Sequence, residues 1–187
     1  LGVSNLATLS TGETIVGAKP FKSLFKQVRR LSKSLSRKKK GSKSREKAKK
    51  QLARLHLRIK NLRLDCLHKF TTHLTSCYHT IGIEDLNVKG MLKNHKLAKA
   101  IADMGFYEFR RQLEYKANWR GCMVVAADRF FPSSKLCSCC GHKREKLCLS
   151  IRKWTCEKCT AQHDRDINAA INLKRFAVSS TVLAGGE

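Results

Sequence analysis

Acidic residues are scarce in this chain of 187 residues, which has 14 Asp and Glu against 39 Lys and Arg and a formal net charge of +25. A protein this basic repels itself unless a polyanion lies nearby, so nucleic acid is the first partner to consider. Long apolar runs are also lacking. The longest, residues 122–127, is far shorter than the roughly 18 residues that cross a bilayer. We therefore expect no membrane partner.

The first residues lack the basic and apolar regions of a secretory signal peptide. The chain begins with Leu1 rather than Met, so we expect a fragment or a reading frame without its first part. Nine cysteines could form a disulfide scaffold in a secreted protein, but most of them lie in residues 137–159. Without a secretion signal, this crowding favours metal binding in a reducing cytoplasm. The expected location is a prokaryotic-type cytoplasm, in association with the nucleoid.

The first 20 residues have the pattern of short strands. Residues 6–10 and 13–16 flank the turn pair Thr11-Gly12, which predicts a β-hairpin, and Pro20 ends the segment.

A helical pattern follows, because apolar residues recur at steps of three and four in two stretches. These residues are Leu24, Val28, Leu31 and Leu35, and then Leu52, Leu55, Ile59, Leu62 and Cys66. The basic loop of residues 36–42 separates the two stretches. Two helices joined by a short polar loop should pack as an antiparallel hairpin.

This helical hairpin is strongly basic, since 19 Lys or Arg and a single acid, Glu46, lie between Lys19 and Arg63. A run of charge is ordinarily a solvated helix face, but acid–base pairs four residues apart normally stabilise such a face. Because those pairs are nearly absent, the sequence predicts a surface that binds a polyanion. The candidate contacts are Lys26, Arg29, Arg30, Lys33, Arg37, Lys38, Lys39, Lys40, Lys43, Arg45, Lys49, Lys50, Arg54 and Arg58.

Strands and helices alternate in the rest of the chain. The β-branched run at residues 80–86 predicts a buried strand, and residues 122–126 predict a fully buried strand of the kind found in parallel sheets. Residues 97–113 and 164–176 have helical patterns. The sequence therefore predicts the α/β class, with two insertions: the basic hairpin and a cysteine-rich module.

The cysteine-rich module contains Cys137 and Cys140, then 15 residues, then Cys156 and Cys159. Each CxxC pair can present two thiolates to one ion, and two pairs complete a tetrahedron. A redox motif or unrelated buried thiols would not explain two pairs at this separation. We predict a zinc ion that is structural rather than catalytic, because four protein ligands leave no position for a substrate.

Two details complicate this zinc site. Cys139 and His142 have the same two-residue spacing and could compete for the ion. Gly141 follows the first pair, where a positive φ suits glycine, whereas Thr160 takes the matching place after the second pair.

Because acids are rare, those at the ends of apolar segments stand out. Glu84 ends the strand predicted at residues 80–86, and Asp166 follows the cysteine-rich module. Spacing alone leaves the roles of the acids in these segments open. Asp85 or Asp164 could cap a helix, and Asp166 could simply lie in the first turn of one.

Four segments together resemble the TnpB (OrfB) transposon proteins, which are relatives of type V CRISPR effectors. They are residues 83–88 (IEDLNV), residues 131–141 (FPSSKLCSCCG), residues 163–172 (HDRDINAAIN) and, for the first nuclease motif, residues 2–13. The resemblance covers residues 1–176 in the family's order. It implies a RuvC-like nuclease with an RNase H-like fold that is incomplete at its first strand.

In this family three acids hold two divalent metal ions, Mg²⁺ or Mn²⁺. The resemblance assigns two of them as catalytic metal ligands, Glu84 and Asp166, and places the third immediately before Leu1. It also implies that DNA and a guide RNA are the partners and that the basic hairpin lines the channel for their heteroduplex. The alternative is a non-catalytic nucleic-acid-binding protein derived from such a nuclease.

The resemblance also suggests a division of the chain. The nuclease core would comprise residues 1–20, 80–132 and 163–176, interrupted by the hairpin at 21–79 and a zinc ribbon at 133–162, with a flexible tail at 177–187.

Overall fold

The computed structural model describes residues 1–148 and 150–184. Its elements, in chain order, are β1 (Ala7–Thr8), β2 (Thr14–Ile15), α1 (Pro20–Ser36), α2 (Lys43–Cys77), β3 (Thr80–Glu84), α3 (Val88–Met91), α4 (Ala98–Met104), α5 (Phe106–Arg120), β4 (Met123–Ala127), β5 (Lys153–Thr155), β6 (Gln162–Asp164) and α6 (Arg165–Ala184). No helix in this part of the chain is long and apolar enough to cross a membrane.

The predicted α/β class is confirmed. β3 and β4 pair in parallel, from Thr80 opposite Met123 to Glu84 opposite Ala127, and α3, α4 and α5 connect them. The predicted hairpin near the start is also present, with β1 antiparallel to β2.

Helices cover both faces of the β3–β4 pair. Ile83 joins a buried core with Phe70 of α2 and Phe109 of α5. The neighbouring Gly82 faces the opposite side. A Cβ at Gly82 would lie 2.6 Å from the carbonyl oxygen of Leu173, so only glycine allows α6 to approach β3 this closely.

β4 is less buried than the sequence predicts, since Met123 is 51% exposed and only Ala127 is fully buried. The prediction of a fully buried strand is wrong. Among the described residues β4 has only one partner, β3, so one of its edges is uncovered.

Two helix boundaries also differ from the predictions. Residues 97–113 form two helices rather than one, because Gly105 takes a left-handed conformation with φ of 69° between α4 and α5. The tail expected from residue 177 is wrong for residues 177–184, which continue α6. Residues 185–187 lie outside the described part of the chain.

The predicted basic hairpin consists of α1 and the first half of α2. Val28 of α1 packs against Leu55 and Ile59 of α2 in a small core of their own. α2 is 35 residues long in all, and its second half contributes Leu67 and Phe70 to the main core. The hairpin predicted at residues 21–79 is therefore continuous with the core rather than separate from it.

Asp103 fixes the base of this hairpin. Its carboxylate accepts hydrogen bonds from the backbone N–H groups of Phe21 and Lys22, both at 3.0 Å, at the start of α1. The same carboxylate forms an ion pair with Arg63 of α2 at 3.1 Å. Asp103 is only 4% exposed, so it joins α1, α2 and α4 from a buried position.

We expect Asp103→Ala to lower the free energy of unfolding by about 2–4 kcal/mol, because it removes two helix-start hydrogen bonds and the partner of Arg63. Thermal and urea unfolding would measure the loss. The control is Asp65→Ala, which removes an exposed pair with Lys69 and should cost much less, because solvent screens that pair. Equal losses would show that Asp103 is not an anchor.

Candidate metal centre and carboxylate site

Two tight turns present the four cysteines of the CxxC pairs. The N–H of Gly141 donates to the carbonyl of Cys137 at 2.9 Å, and the N–H of Thr160 donates to that of Cys156 at 3.0 Å. Gly141 and Thr160 both have a left-handed backbone, with φ of 74° and 58°. Thr160 is therefore strained where glycine would not be, as its place in the sequence suggested.

The four sulfur atoms lie within 4.8 Å of one another. Cys137 Sγ is 3.6 Å from Cys159 Sγ, and Cys140 Sγ is 3.6 Å from Cys156 Sγ. Four sulfurs at the usual zinc–sulfur distance of about 2.3 Å on a tetrahedron would be about 3.8 Å apart. The cysteine cluster could therefore hold a metal ion with little rearrangement.

Proton affinities within the cluster are strongly perturbed. The pKa of the Cys156 thiol is lowered to about 6, chiefly because the backbone N–H of Cys159 donates to its sulfur. The pKa of Cys159 is raised to about 12. The backbone N–H of Ala161 lowers it, but the thiols of Cys140 and Cys137 and burial outweigh that effect. Four thiolates at this distance repel one another, so a central cation would stabilise their ionised form.

His163 is a member of this centre that the sequence argument missed. Its Nε2 lies 3.1 Å from Cys137 Sγ, and its buried ring packs 4.7 Å from the ring of Trp154. β5 and β6 place it there, because Trp154 pairs with His163 in their antiparallel register. β6 extends to Asp164, so the ribbon does not end at residue 162 as predicted.

The structure alters the predicted competition for the ion. Cys137, Cys139 and His163 form a second group of potential ligands within 4.8 Å. Cys139 is therefore placed near the cluster, whereas His142 belongs to neither group found among the described residues. His163, which lies in the partner strand, takes that place.

Glu84 lies at the carboxyl end of β3. Its Oε1 accepts a hydrogen bond from the Ser133 hydroxyl at 3.2 Å, and its Oε2 is 3.4 Å from the nitrogen of Leu1. The next residue, Asp85, is held by two ion pairs of 2.7 Å, with Arg110 and Arg129. These pairs lower the pKa of Asp85, chiefly through the hydrogen bond from Arg129. Asp85 therefore binds two arginine side chains. It does not cap a helix, which the sequence had left open.

Asp166 lies in the first turn of α6, with its side chain half exposed, and Arg152 approaches it at 3.4 Å. The carboxylate of Asp164 accepts hydrogen bonds from the backbone N–H groups of Asp166 and Ile167 at 3.0 and 3.1 Å. Asp164 is therefore the cap of α6, as its sequence position allowed, whereas the half-exposed Asp166 carboxylate takes no part in capping.

Two buried asparagines of α6 tie this helix to the segment that begins the cysteine-rich module. The Nδ2 of Asn172 donates to the carbonyls of Ser133 and Leu136 at 2.8 and 2.6 Å. Asn168 donates to Leu136 at 2.7 Å and accepts from the N–H of Ser138 at 2.9 Å. Ser133 contacts Glu84, and Ser138 follows Cys137. One segment thus connects Glu84, α6 and the cysteine cluster.

The described residues do not gather the carboxylates into a three-ligand group. Only the two cysteine-containing groups bring three or more potential ligands within 4.8 Å there. Asp128, which the sequence argument did not single out, follows β4 and lines a small cavity together with Glu84 and Asp85. Its position one strand away from Glu84 is visible only once β3 and β4 are paired.

The candidate nucleic-acid contacts of the hairpin are exposed, except for Lys38 and Arg45, which are half-buried. Arg45 donates to the carbonyls of Leu35 and Lys38 at 2.9 and 3.0 Å, so it stabilises the end of α1. No ion pair found in the described residues involves any of the 14 candidates. The face therefore keeps its positive charge.

Comparisons with known proteins agree with this architecture. The OrfB_IS605 family, described as "Probable transposase", matches residues 1–95, and the TNB domain of Cas12f1-like proteins matches residues 106–173. A protein of Streptomyces pristinaespiralis named "Putative RNA-guided DNA endonuclease" is 46% identical over 99% of this chain. The Escherichia coli K12 protein InsQ, with the same description, is 38% identical over 100% of it. The alignments cover 46% and 49% of those relatives, so the chain spans about half their length.

A solved structure shares the fold. One chain of the cryo-EM structure of the Cas12f1–sgRNA–target DNA complex matches 86% of this chain with a TM-score of 0.56 at 18% identity. The fold and the cysteine cluster define an α/β protein with a group of four thiols that could hold a metal ion. The chain belongs to the OrfB_IS605 transposase family, and the predicted resemblance to TnpB proteins is confirmed.

Proposed function

We propose that this chain is the nuclease portion of a transposon-associated, RNA-guided DNA endonuclease. The observation that carries the proposal is the position of Glu84 at the end of a parallel strand, where it accepts a hydrogen bond from Ser133. Asn172 of α6 in turn donates a hydrogen bond to the carbonyl of Ser133. Asp166 begins that same helix. The names of the relatives and the family support this reading.

We propose that the core is RNase H-like and receives a further strand along the free edge of β3. A cleft lined by Leu1, Ile81, Gly82 and Leu173 runs along β3. A residue joined to the nitrogen of Leu1 would lie beside Glu84, because that nitrogen is 3.4 Å from Glu84 Oε2. An aspartate at that position would supply the third carboxylate.

Carboxylate oxygens are the hard ligands that Mg²⁺ and Mn²⁺ prefer, so the donor chemistry of Glu84 and Asp166 fits these ions. When bound, two such ions activate water and stabilise the leaving oxygen in phosphodiester hydrolysis. The Ser133 hydroxyl orients Glu84 by its hydrogen bond. Loss of guided cleavage on removal of either carboxylate tests this assignment.

We propose zinc as the ion of the cysteine cluster, with Cys137, Cys140, Cys156 and Cys159 as its four ligands. Their mutual distances support a tetrahedral thiolate site. His163 would donate a hydrogen bond to the Cys137 thiolate from outside the ligand set, which fixes the orientation of that ligand.

The basic hairpin would bind the phosphate backbones of DNA and guide RNA through charge and shape. Affinity should therefore fall steeply as the salt concentration rises. Each phosphate contact on duplex DNA contributes about −0.9 to the slope of log K against log salt. Replacing Lys38, Lys39 and Lys40 with Ala should flatten that slope by up to about 3. Fluorescence anisotropy with labelled duplexes over a salt series measures it.

The matched control replaces three exposed lysines outside the hairpin, Lys89, Lys93 and Lys96, with Ala. This control removes the same charge, so it separates local contacts from net charge. If both triple variants change the slope equally, the hairpin has no particular role in binding.

The alternative function is a non-catalytic nucleic-acid binder. It is favoured by one observation: neither Glu84 nor Asp166 belongs to a group of three or more potential metal ligands among the described residues. The two functions differ in the expected effect of Glu84→Gln, which should stop cleavage in a nuclease and change nothing measurable in a binder.

A further inference from the structure

Phe130 is the most exposed of the large apolar side chains in the described part of the chain, at 87%. Single exposed apolar residues are common and need no explanation by themselves. What distinguishes Phe130 is how firmly the residues beside it are held and what they contact.

The turn that carries Phe130 is fixed on both sides. Its own N–H donates to the carboxylate of Asp128 at 2.8 Å, and the N–H of Phe131 donates to the Asp128 carbonyl at 3.0 Å. Arg129 forms its ion pair with Asp85 at 2.7 Å, while the ring of Phe131 packs 5.1 Å from that of Phe176. The backbone is thus anchored to β3 and α6, yet the Phe130 ring projects into solvent.

This turn also borders the carboxylate site. Asp128, Arg129 and Phe131 line the small cavity that contains Glu84 and Asp85. Phe130 lies between two residues that line this cavity, so a nucleic-acid strand that approached Glu84 from this side would pass near its ring. The chain carries a net charge of +25, which favours a polyanion such as nucleic acid, rather than another protein, as the partner of this surface.

We propose that Phe130 stacks on an unpaired nucleobase of the strand that enters the Glu84 site. This inference rests on the proposed nuclease function for its direction, but the contact itself is a binding property. An aromatic face accepts any base, so the contact is tolerant of sequence. Bases inside a duplex already stack on their neighbours, so the partner is single-stranded nucleic acid.

The test compares the affinities of this chain for a labelled single-stranded oligonucleotide and for a duplex of the same length. At high salt, where phosphate contacts are screened, Phe130→Ala should weaken single-strand binding by roughly 5- to 100-fold, the usual cost of losing one base–aromatic stack. Duplex binding should stay nearly unchanged. Phe130→Trp should restore single-strand affinity because it retains an aromatic face.

The matched control is Trp119→Ala. Trp119 is 76% exposed but lies at the end of α5, just before β4 begins, whereas Phe130 follows the other end of β4. A second control uses an oligonucleotide with abasic positions throughout, against which the wild-type chain and Phe130→Ala should bind alike. Thermal unfolding should not distinguish Phe130→Ala from the wild type, because the ring is exposed.

Equal losses on single strands and duplexes, an equal loss for Trp119→Ala, or no recovery with Phe130→Trp would each overturn the proposal. Glu84→Gln separates this inference from the nuclease function, because it should leave single-strand affinity intact. If the carboxylate variants proved fully active in cleavage while Phe130→Ala still lost single-strand binding, the assignment of Glu84 and Asp166 as catalytic ligands would fall and the stacking contact would stand.

Discussion

Glu84→Gln and Asp166→Asn are each expected to reduce guided DNA cleavage by about 1,000-fold or more, equivalent to about 4 kcal/mol of transition-state stabilisation. The amides have nearly the same shape as the acids but lack the negative charge that holds divalent ions. DNA binding should be retained, because cationic side chains bind the phosphates and neither variant removes one. The measurement uses an extended chain, in which the N-terminal part of the Streptomyces pristinaespiralis relative precedes Leu1.

Two controls match these variants. Asp164→Asn should keep nearly full activity, since asparagine caps a helix as well as aspartate does and the N–H groups of Asp166 and Ile167 keep their acceptor. Asp65→Asn alters an exposed acid of α2 that pairs only with Lys69. Inactive Asp164→Asn beside active Asp166→Asn would show that Asp164 is the metal ligand.

The cleavage activity of Asp85→Ala is expected to lie between that of the inactive Glu84 and Asp166 variants and that of the active Asp164→Asn control. Its carboxylate binds Arg110 and Arg129, so its removal frees Arg129 and leaves Arg110 paired with Glu114, without removing a proposed ligand.

Cys156→Ser is expected to abolish zinc binding and to unfold the ribbon from residue 133 to the end of β6 at Asp164, while α1 and α2 remain folded. A structural zinc supplies an apparent 10–16 kcal/mol in finger peptides, which is comparable to the stability of a whole domain. The buried core of the ribbon is small and includes two of the cysteines themselves, Cys137 and Cys156. Little else would hold β5 and β6 together without the ion.

Metal analysis by mass spectrometry and hydrogen exchange of β5 and β6 would measure this loss. Cys148→Ser is the control, because Cys148 is exposed and outside both ligand groups. A Cys156→Ser protein that still binds one zinc per chain, with unchanged exchange in the ribbon, would contradict the assignment.

The sequence predicted those features that depend on neighbouring residues. The spacing of Cys137, Cys140, Cys156 and Cys159 was sufficient to predict that the four thiols form one group, because each pair lies within one tight turn. The periodic apolar residues of the hairpin predicted the contacts of Val28 with Leu55 and Ile59, because helical periodicity decides which side chains face a partner.

Features that depend on distant contacts could not be predicted in the same way. His163 reaches Cys137 across 26 positions, and Ser133 reaches Glu84 across 49. Asp103 belongs to no sequence motif, yet its hydrogen bonds and its ion pair join α1, α2 and α4. The helical course of residues 177–184 likewise follows from the packing of Ala177 beside Gly82, which no local pattern reveals.

The most direct test of the nuclease assignment is cleavage of a labelled DNA duplex by the extended chain, bound to a guide RNA complementary to one strand, in the presence of Mg²⁺. The account predicts cutting only with a matching guide and Mg²⁺ or Mn²⁺, and none with Glu84→Gln. Binding of guide and target without any cutting by the wild-type extended chain, or cutting that survives Glu84→Gln, would contradict it.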